Sequence, residues 1–531
     1  MSNASHDHDV IVVGGGPVGL VLALLLGDRG HHVAVVERWS RPYPLPRAVA
    51  ADHEIARILQ SAGLATVVDE LLDPVATDDG RRTVYEAADG EPLLELHVPR
   101  DSISGWPAIM TFFQPDVERA IGTRVAAHPN IALLRGLEVV DVRDEGDAAV
   151  VEAAPHDDAA LADLDAPRVT LRAAYVVGAD GANSIVRNRM GSHMHDLGFA
   201  FDWLAVDVEP LVAREWDPYH AMRLDPARTT ALVSVGREGR RFEFMLLPGE
   251  SAEEMNRPEV AWQMLAPWDV TPENARLIRH ATYTFGARWA LVWRQDRLLL
   301  AGDAAHVMPP FLGQGMCSGL RDAATLAWRL DLVLSGVGGE QLLEGYGPER
   351  REQVREIVEA AVALGELWCV SDPEQAAARD AVLRQMDGSS LPELAWKLGP
   401  GIHRDGDPLA GRLSIQARVA HNGTVARLDD LLGGPKFVLL STTGDPAHHL
   451  SPDTRAAWER LGGVSVHVGP DSEYHDVDGR YREWFAQSGV ELVLVRPDFY
   501  AFGSGMLADA DALTRDLTTR LTVNRREKAS A

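Results

Sequence analysis

The stretch from Leu298 to Asp322, LLLAGDAAHVMPPFLGQGMCSGLRD, runs from an apolar segment into Gly302 and Asp303. A loop holding Pro309, Pro310, Gly313 and Gly315 follows, and then a helical pattern. Gly302 lets a ligand approach the backbone, and the Asp303 carboxylate can accept hydrogen bonds from the hydroxyls of a sugar-like chain. Gly313, Gln314, Gly315 and Met316 bring backbone N–H groups to a helix N-terminus, whose dipole favours partial negative charge. An electron-rich ring suits that end. Taken as a dipeptide, Gly-Asp after a strand is also an ordinary turn.

A second set lies near the start of the chain. Asp9 to Val13 reads as a strand, Leu20 to Gly27 as a buried helix and His32 to Val36 as a second strand ending in Glu37, with Gly14, Gly16 and Gly19 in the first turn. In this pattern Gly14 makes the turn, Gly16 admits a pyrophosphate, Gly19 permits close helix packing and Glu37 meets a ribose 2′-hydroxyl. An acid there argues against a 2′-phosphate, which leaves FAD or NAD(H).

Other polar residues have weaker spacing. Arg47 lies in a Pro-rich loop, and Asp52 and His53 stand at the start of a helical pattern through Leu59, where either can act as a cap. Gln114 precedes Pro115 at the opening of another helix. In YVVGADGANSIVR a buried strand delivers Asp180 to the side where Gly14 lies, although Asp180 could also cap the helix that follows. His220 and Tyr283 fall in an aromatic-rich region with Trp203, Tyr219 and Met222, whose side chains divide between a pocket and a core.

The elements that must position these groups fill a chain of 531 residues, long enough for several domains with substantial cores. Strand-like alternation covers Trp203–Val208, Thr230–Val235, Arg241–Leu247 and Thr282–Phe285, and helical spacing covers Gly319–Leu334 and Tyr346–Trp368. Residues 153–168 read as an exposed hairpin loop and residues 399–414 as a linker. Beyond the linker, strand-like Phe437–Leu440, Val464–Val468 and Glu491–Val495 alternate with helices, which predicts a small α/β domain. A formal net charge of −27 disfavours nucleic acid and anionic membrane as partners. Cys317 and Cys369 are the only cysteines, which excludes a disulfide framework and a Cys-rich metal site and fits a reducing cytoplasm. No apolar run reaches transmembrane length, and MSNASHDHD lacks the basic region of a signal peptide.

Three separated motifs in this order resemble those of the flavoprotein aromatic hydroxylases. DLGFAFDWLAVDV, RRFEFMLLPGE and GDAAHVMPPFLGQGMCSGLRDA bring the chain closest to the 3-(3-hydroxyphenyl)propionate hydroxylase group. The resemblance implies an α/β fold. A Rossmann-like FAD-binding domain (1–190 and 285–400) would carry an inserted β-sheet substrate domain (191–284), followed by a C-terminal thioredoxin-like domain (410–531) that has no cysteine and so no dithiol chemistry. It implies that Gly14, Gly16, Gly19, Glu37, Arg47, Gln114, Asp180, Gly302, Asp303, Pro310, Gly313, Gln314, Gly315 and Met316 contact FAD. NADH or NADPH would reduce the flavin, and a flavin C4a-hydroperoxide would transfer oxygen from O₂ to a phenol. Pro310 would hold the flavin edge, and Asp52, His53, His220 and Tyr283 are the candidates for a general base. The expected protein is cytoplasmic, with a small phenolic substrate and a homodimer as its assembly. Two alternatives remain at this point: a tailoring oxygenase of an aromatic natural product, and a non-oxygenating FAD protein of the same fold.

Overall fold

The computed structural model describes residues 6–157, 168–388 and 395–522, so most of the loop expected at 153–168 lies outside the described residues. The strand His8–Val13 leads through the glycine turn into the helix Pro17–Gly27, in which every residue but Val18 is buried. A helix apolar on all sides has to be covered on all sides. It packs between the first sheet and the long helix Gly315–Leu334.

That sheet has the order Arg294–Gln295, Leu298–Leu300, Val169–Gly178, His8–Val13, Val33–Glu37, Ile131–Arg135, and a hairpin of Leu137–Asp144 and Ala149–Pro155 joins Val169–Gly178. Its five inner neighbours, from Leu298–Leu300 to Ile131–Arg135, run parallel. The register sets Val13 beside Gly178 and Gly178 beside Leu300. Ala179 N–H donates to Val13 O (2.8 Å) and Ala301 N–H to Gly178 O (2.9 Å). Three turns far apart in sequence, at Gly14, Asp180 and Asp303, therefore meet at the carboxyl ends of adjacent strands, where open α/β sheets bind ligands.

The second sheet has the order His306–Val307, Ala275–Ala290, Met194–Pro210, Gly239–Met245, Thr230–Val235, His220–Arg223, Thr83–Glu86, Pro92–Leu96. It draws a hairpin from residues 83–96, outside the range 191–284, and its strand Ala275–Ala290 runs past the end of that range. The physical reason is the edge at His220–Arg223, whose free backbone groups are met by Thr83–Glu86 in parallel. One face of the sheet packs Leu204, Val206, Phe242 and Phe244 together with Leu265 of the helix Pro258–Leu265. The other face sets Trp203 and Phe285 against Phe311 of the loop after Pro310.

The C-terminal sheet has the order Val464–His467, Val438–Ser441, Leu492–Val495, Ala501–Gly505; the first pair is parallel and the other two antiparallel. Residues 399–414 do not behave as a free linker. Arg404, Gly411 and Ser414 donate N–H bonds to Phe502, Ala501 and Phe499, which binds the segment along the last strand. A buried ion network fastens this domain to the first: Glu349 pairs with Arg329 (2.5 Å) and with Arg496 (3.0 Å), and Trp328 Nε1–H donates to Asp498 (3.0 Å). No helix among the described residues is long and apolar enough to cross a membrane.

Candidate active site

Glycine is required in the first turn by contact. A Cβ on Gly14 (φ +109°) would lie 2.3 Å from Ala179 O, and one on Gly19 would lie 2.1 Å from Gly14 O, whereas a Cβ on Gly16 meets nothing within 4 Å. The helix behind it starts at Gly16 without a side-chain cap, so its first N–H groups are available to an anion. Glu37 is fixed at the mouth, accepting from Gly15 N–H (2.6 Å) and Trp39 N–H (2.8 Å).

Asp180 acts as a cap of the helix that follows it. Oδ2 accepts from Ile185 N–H (2.7 Å) at the start of the next helix, while Oδ1 is buried without a partner among the described residues. Burial raises the pKa of this carboxyl. Gly302, at φ +63°, donates its N–H to Asp322 (2.9 Å), which also holds His306 Nε2 (2.7 Å) and Arg350 Nε (2.8 Å). The turn is thus rigid, and Asp303 beside it is exposed.

The loop continues through a tight turn, Pro310–Leu312, to Gly313 (φ +65°) and the helix Gly315–Leu334. Gln314 stands at the helix start, its carboxamide accepting from Arg321 Nη1 (2.8 Å) and donating to Asp52 Oδ2 (3.1 Å). Arg321 also grips Asp52 (2.5 Å) and Glu54 (2.6 Å). Asp52 caps the helix His53–Ser61 through Glu54 N–H (3.0 Å) and Ile55 N–H (3.2 Å). Burial alone would raise its pKa, but Arg321 outweighs that and lowers it. These four donors hold the carboxylate in place, and through it Asp52 positions Gln314. His53 turns to Ser104 Oγ (3.0 Å).

Gln114 is engaged with the backbone of the Pro-rich loop. Its Oε1 accepts from the N–H groups of Arg47 (3.0 Å) and Ala48 (2.6 Å), so it braces the Pro-rich loop from below. From the second sheet, Arg241 donates to Arg47 O (2.7 Å) and Pro46 O (3.0 Å). The Arg47 side chain is left half exposed.

On the facing sheet His220 Nε2 meets Ser234 Oγ (2.7 Å), which meets Thr111 Oγ1 (3.1 Å). Burial, helped by Arg240 and Arg81, pushes His220 down to about 3, so its imidazole is neutral. Tyr219 O–H donates to Asp73 (2.7 Å) and stacks on His220. Tyr283 lies opposite Trp203 in the register, under the Arg279 guanidinium. Trp203 is fully buried and belongs to the core, and Met222 packs with Leu93 and Leu94. Sequence reasoning missed Arg321, Asp207 and Arg241. The available signal was the pair of arginines inside the apolar strand RRFEF.

The comparisons agree with this geometry. A family model described as FAD binding domain matches residues 7–361, and one described as HcaD C-terminal domain matches 411–520. The chain is 36% identical to a probable NADH-specific resorcinol 4-hydroxylase of Rhodococcus jostii, over 93% of this chain and 91% of that one. It is 32% identical to a 3-(3-hydroxy-phenyl)propionate/3-hydroxycinnamic acid hydroxylase of Paraburkholderia xenovorans, over 93% and 88% of the two chains. The solved structure of the flavin-dependent monooxygenase PieE with FAD and substrate aligns with a TM-score of 0.80 at 20% identity, over 97% of this chain and 100% of that one, which speaks for the fold alone. The chain belongs to the FAD-binding aromatic hydroxylases and is an FAD-dependent monooxygenase.

Proposed function

We propose that the enzyme hydroxylates a small phenol of the 3-(3-hydroxyphenyl)propionate kind, consuming NADH or NADPH and O₂. The observation that carries this reading is the meeting of the Gly14, Asp180 and Asp303 turns at one sheet edge, beneath a second sheet whose Trp203 and Phe285 touch the loop after Pro310.

FAD fits the residues present. The open space at Gly16 and the uncapped helix suit the pyrophosphate, Glu37 the ribose, exposed Asp303 the ribityl chain, and the loop from Pro310 through Gly313, Gln314 and Gly315 to Met316 the ring. Arg47 and Gln114 serve as a tethered flap at its side. When bound, FAD supplies the redox chemistry and the activation of O₂, and the chain supplies position, dryness and proton handling. Among the candidates His220 is the group we favour for orienting the phenol. It is neutral, and its contact with Ser234 leaves Nδ1 to accept a hydrogen bond from the phenol; with a pKa of about 3 it holds the hydroxyl rather than taking its proton. Tyr283 would line the ring, and His53, engaged with Ser104, would not take part.

In this reading residues 1–190 and 285–400 hold the cofactor, and 191–284 with the hairpin at 83–96 cover the substrate. The C-terminal domain is thioredoxin-like, which its strand order and single reversed strand support. It acts by packing, since it has no cysteine. The enzyme would work in the cytoplasm as a homodimer without a nucleic-acid partner. A panel of phenols and phenolic acids, scored for stimulated NADH oxidation, O₂ uptake and product mass, tests the reading; NADH oxidation indifferent to every phenol would refute it.

A further inference from the structure

Arg279 is a buried cation whose Nε and Nη1 have no hydrogen-bond acceptor among the described residues. It sits opposite Asp207 in the register, and Asp207 sits opposite Arg241, so the three share the sheet face that carries Trp203 and Tyr283. Asp207 is already engaged by two hydrogen bonds from Arg241, at 2.7 and 2.9 Å, and lies 3.7 Å from Arg279. Arg279 is 5% exposed, and its Nε and Nη1 are buried without a hydrogen-bond partner among the described residues. Its guanidinium stands 4.8 Å from the centre of the Tyr283 ring.

Leaving buried N–H groups of a charged side chain unmatched is costly, and such groups in native proteins call for an explanation. Four other buried arginines, Arg321, Arg329, Arg350 and Arg496, each hold a carboxylate within 3.0 Å, while Arg240 and Arg187 donate to backbone carbonyls instead. Nearby Glu243 does not fill the gap, because it lies toward Arg241, at 3.7 Å.

We propose that Arg279 receives the carboxylate of the aromatic substrate and so selects phenols with an acidic side chain over uncharged ones such as resorcinol. The inference rests on the phenol-hydroxylase reading and names the substrate class within it. Tyr283, four positions along the strand from Arg279, is about 13 Å away by backbone rise, and the long Arg279 side chain folds over its ring and closes part of that gap. Trp203, opposite Tyr283, touches Phe311. The face therefore runs from aromatic near the loop after Pro310 to cationic at Arg279, and the ring and acid tail of one small molecule match that order. Nε and Nη1 point to different sides of the guanidinium, so a carboxylate can accept a charge-assisted hydrogen bond from either of them.

The test uses the full chain loaded with FAD and reads dissociation constants from the change in flavin absorption. The ligands are 3-(3-hydroxyphenyl)propionate, its uncharged amide and resorcinol, each with the wild type, Arg279→Met and Arg279→Lys. The wild type should prefer the acid to its amide by about ten-fold or more. Arg279→Met should weaken acid binding by about ten- to a hundred-fold, as for a lost hydrogen bond to a charged group, and leave resorcinol unchanged; Arg279→Lys should restore part of the preference. Equal binding of acid and amide by the wild type would overturn the proposal without any variant. So would equal losses for acid and resorcinol, or release of FAD from Arg279→Met, which would assign the residue to the cofactor or the fold. Turnover of resorcinol with no binding of the acid would overturn it while leaving the hydroxylase reading intact, whereas no binding and no turnover of any phenol would remove both.

Discussion

Arg241 and Asp207 form a buried two-point ion pair, and the same guanidinium donates to the carbonyls of Pro46 and Arg47. The second sheet is thereby tied to the Pro-rich loop at residues 41–48. Arg241→Met removes four hydrogen bonds and leaves Asp207 buried without its main partner, an arrangement that costs about 3 to 5 kcal/mol. Chemical denaturation should show a loss of that order, together with weaker FAD retention. A variant as stable as the wild type, with its FAD in place, would mean that the tie is incidental.

Asp303→Ala concerns the cofactor alone. The side chain is exposed, so folding should be unaffected, while losing a charge-assisted hydrogen bond should weaken FAD by about ten- to a hundred-fold. Titration of apoprotein with FAD measures this, and unchanged affinity would withdraw the ribityl assignment.

Gln114→Ala deprives the Arg47 and Ala48 N–H groups of their shared acceptor. Both donors are only part-buried, so water can replace the lost acceptor and the cost is about 1 kcal/mol or less, but the Pro-rich loop should loosen. Faster hydrogen exchange confined to residues 41–48, with higher FAD dissociation constants, is the expected outcome; exchange unchanged there would refute the bracing role.

His220 sets a pH dependence of stability. Its pKa in the folded chain is about 3, below the ordinary 6.5, so the unfolded chain binds a proton there that the folded chain refuses. This term favours folding least in acid: stability is lost as pH falls from about 6.5 toward 3 and is level above 6.5. His220→Phe lacks the term, so its thermal midpoint should fall less than that of the wild type between pH 7.5 and pH 5. Identical acid sensitivity would show that the imidazole is not held neutral.

Glu349 tests the docking of the C-terminal domain. Burial would raise its pKa, but Arg329 and Arg496 hold it down at about 2. Its stabilisation is present above about 4.5 and is lost progressively as pH falls from there to about 2. Glu349→Gln should cost about 3 to 5 kcal/mol at neutral pH, because two arginines are then left buried against a neutral group. Denaturation with an early phase confined to residues 395–522, followed by hydrogen exchange, would bear this out; an unshifted transition would contradict it.

The parts legible in the sequence were those fixed by neighbours along the chain. The Gly14 to Gly19 turn, the strand into Asp303 and the helix Tyr346–Trp368 are local patterns of glycine, apolar run and period. What stayed hidden depends on pairings far apart in the chain. The hairpin at 83–96 joins its sheet through His220–Arg223, and Arg321 reaches back to Asp52 and Glu54. Asp52 and Gln114 show the limit most clearly. The cap at Asp52 was legible beside its helix start, but its hold by Arg321 and the bracing of the Pro-rich loop by Gln114 depend on contacts that only the fold makes.

The central claim is oxygen transfer to a phenol, and the most direct measurement is the product mass after turnover with NADH, 3-(3-hydroxyphenyl)propionate and isotopically labelled O₂. The account predicts a product heavier by one labelled oxygen atom, formed in step with NADH consumption. Consumption of NADH and O₂ with the phenol recovered unchanged, or a product carrying oxygen from water, would contradict it.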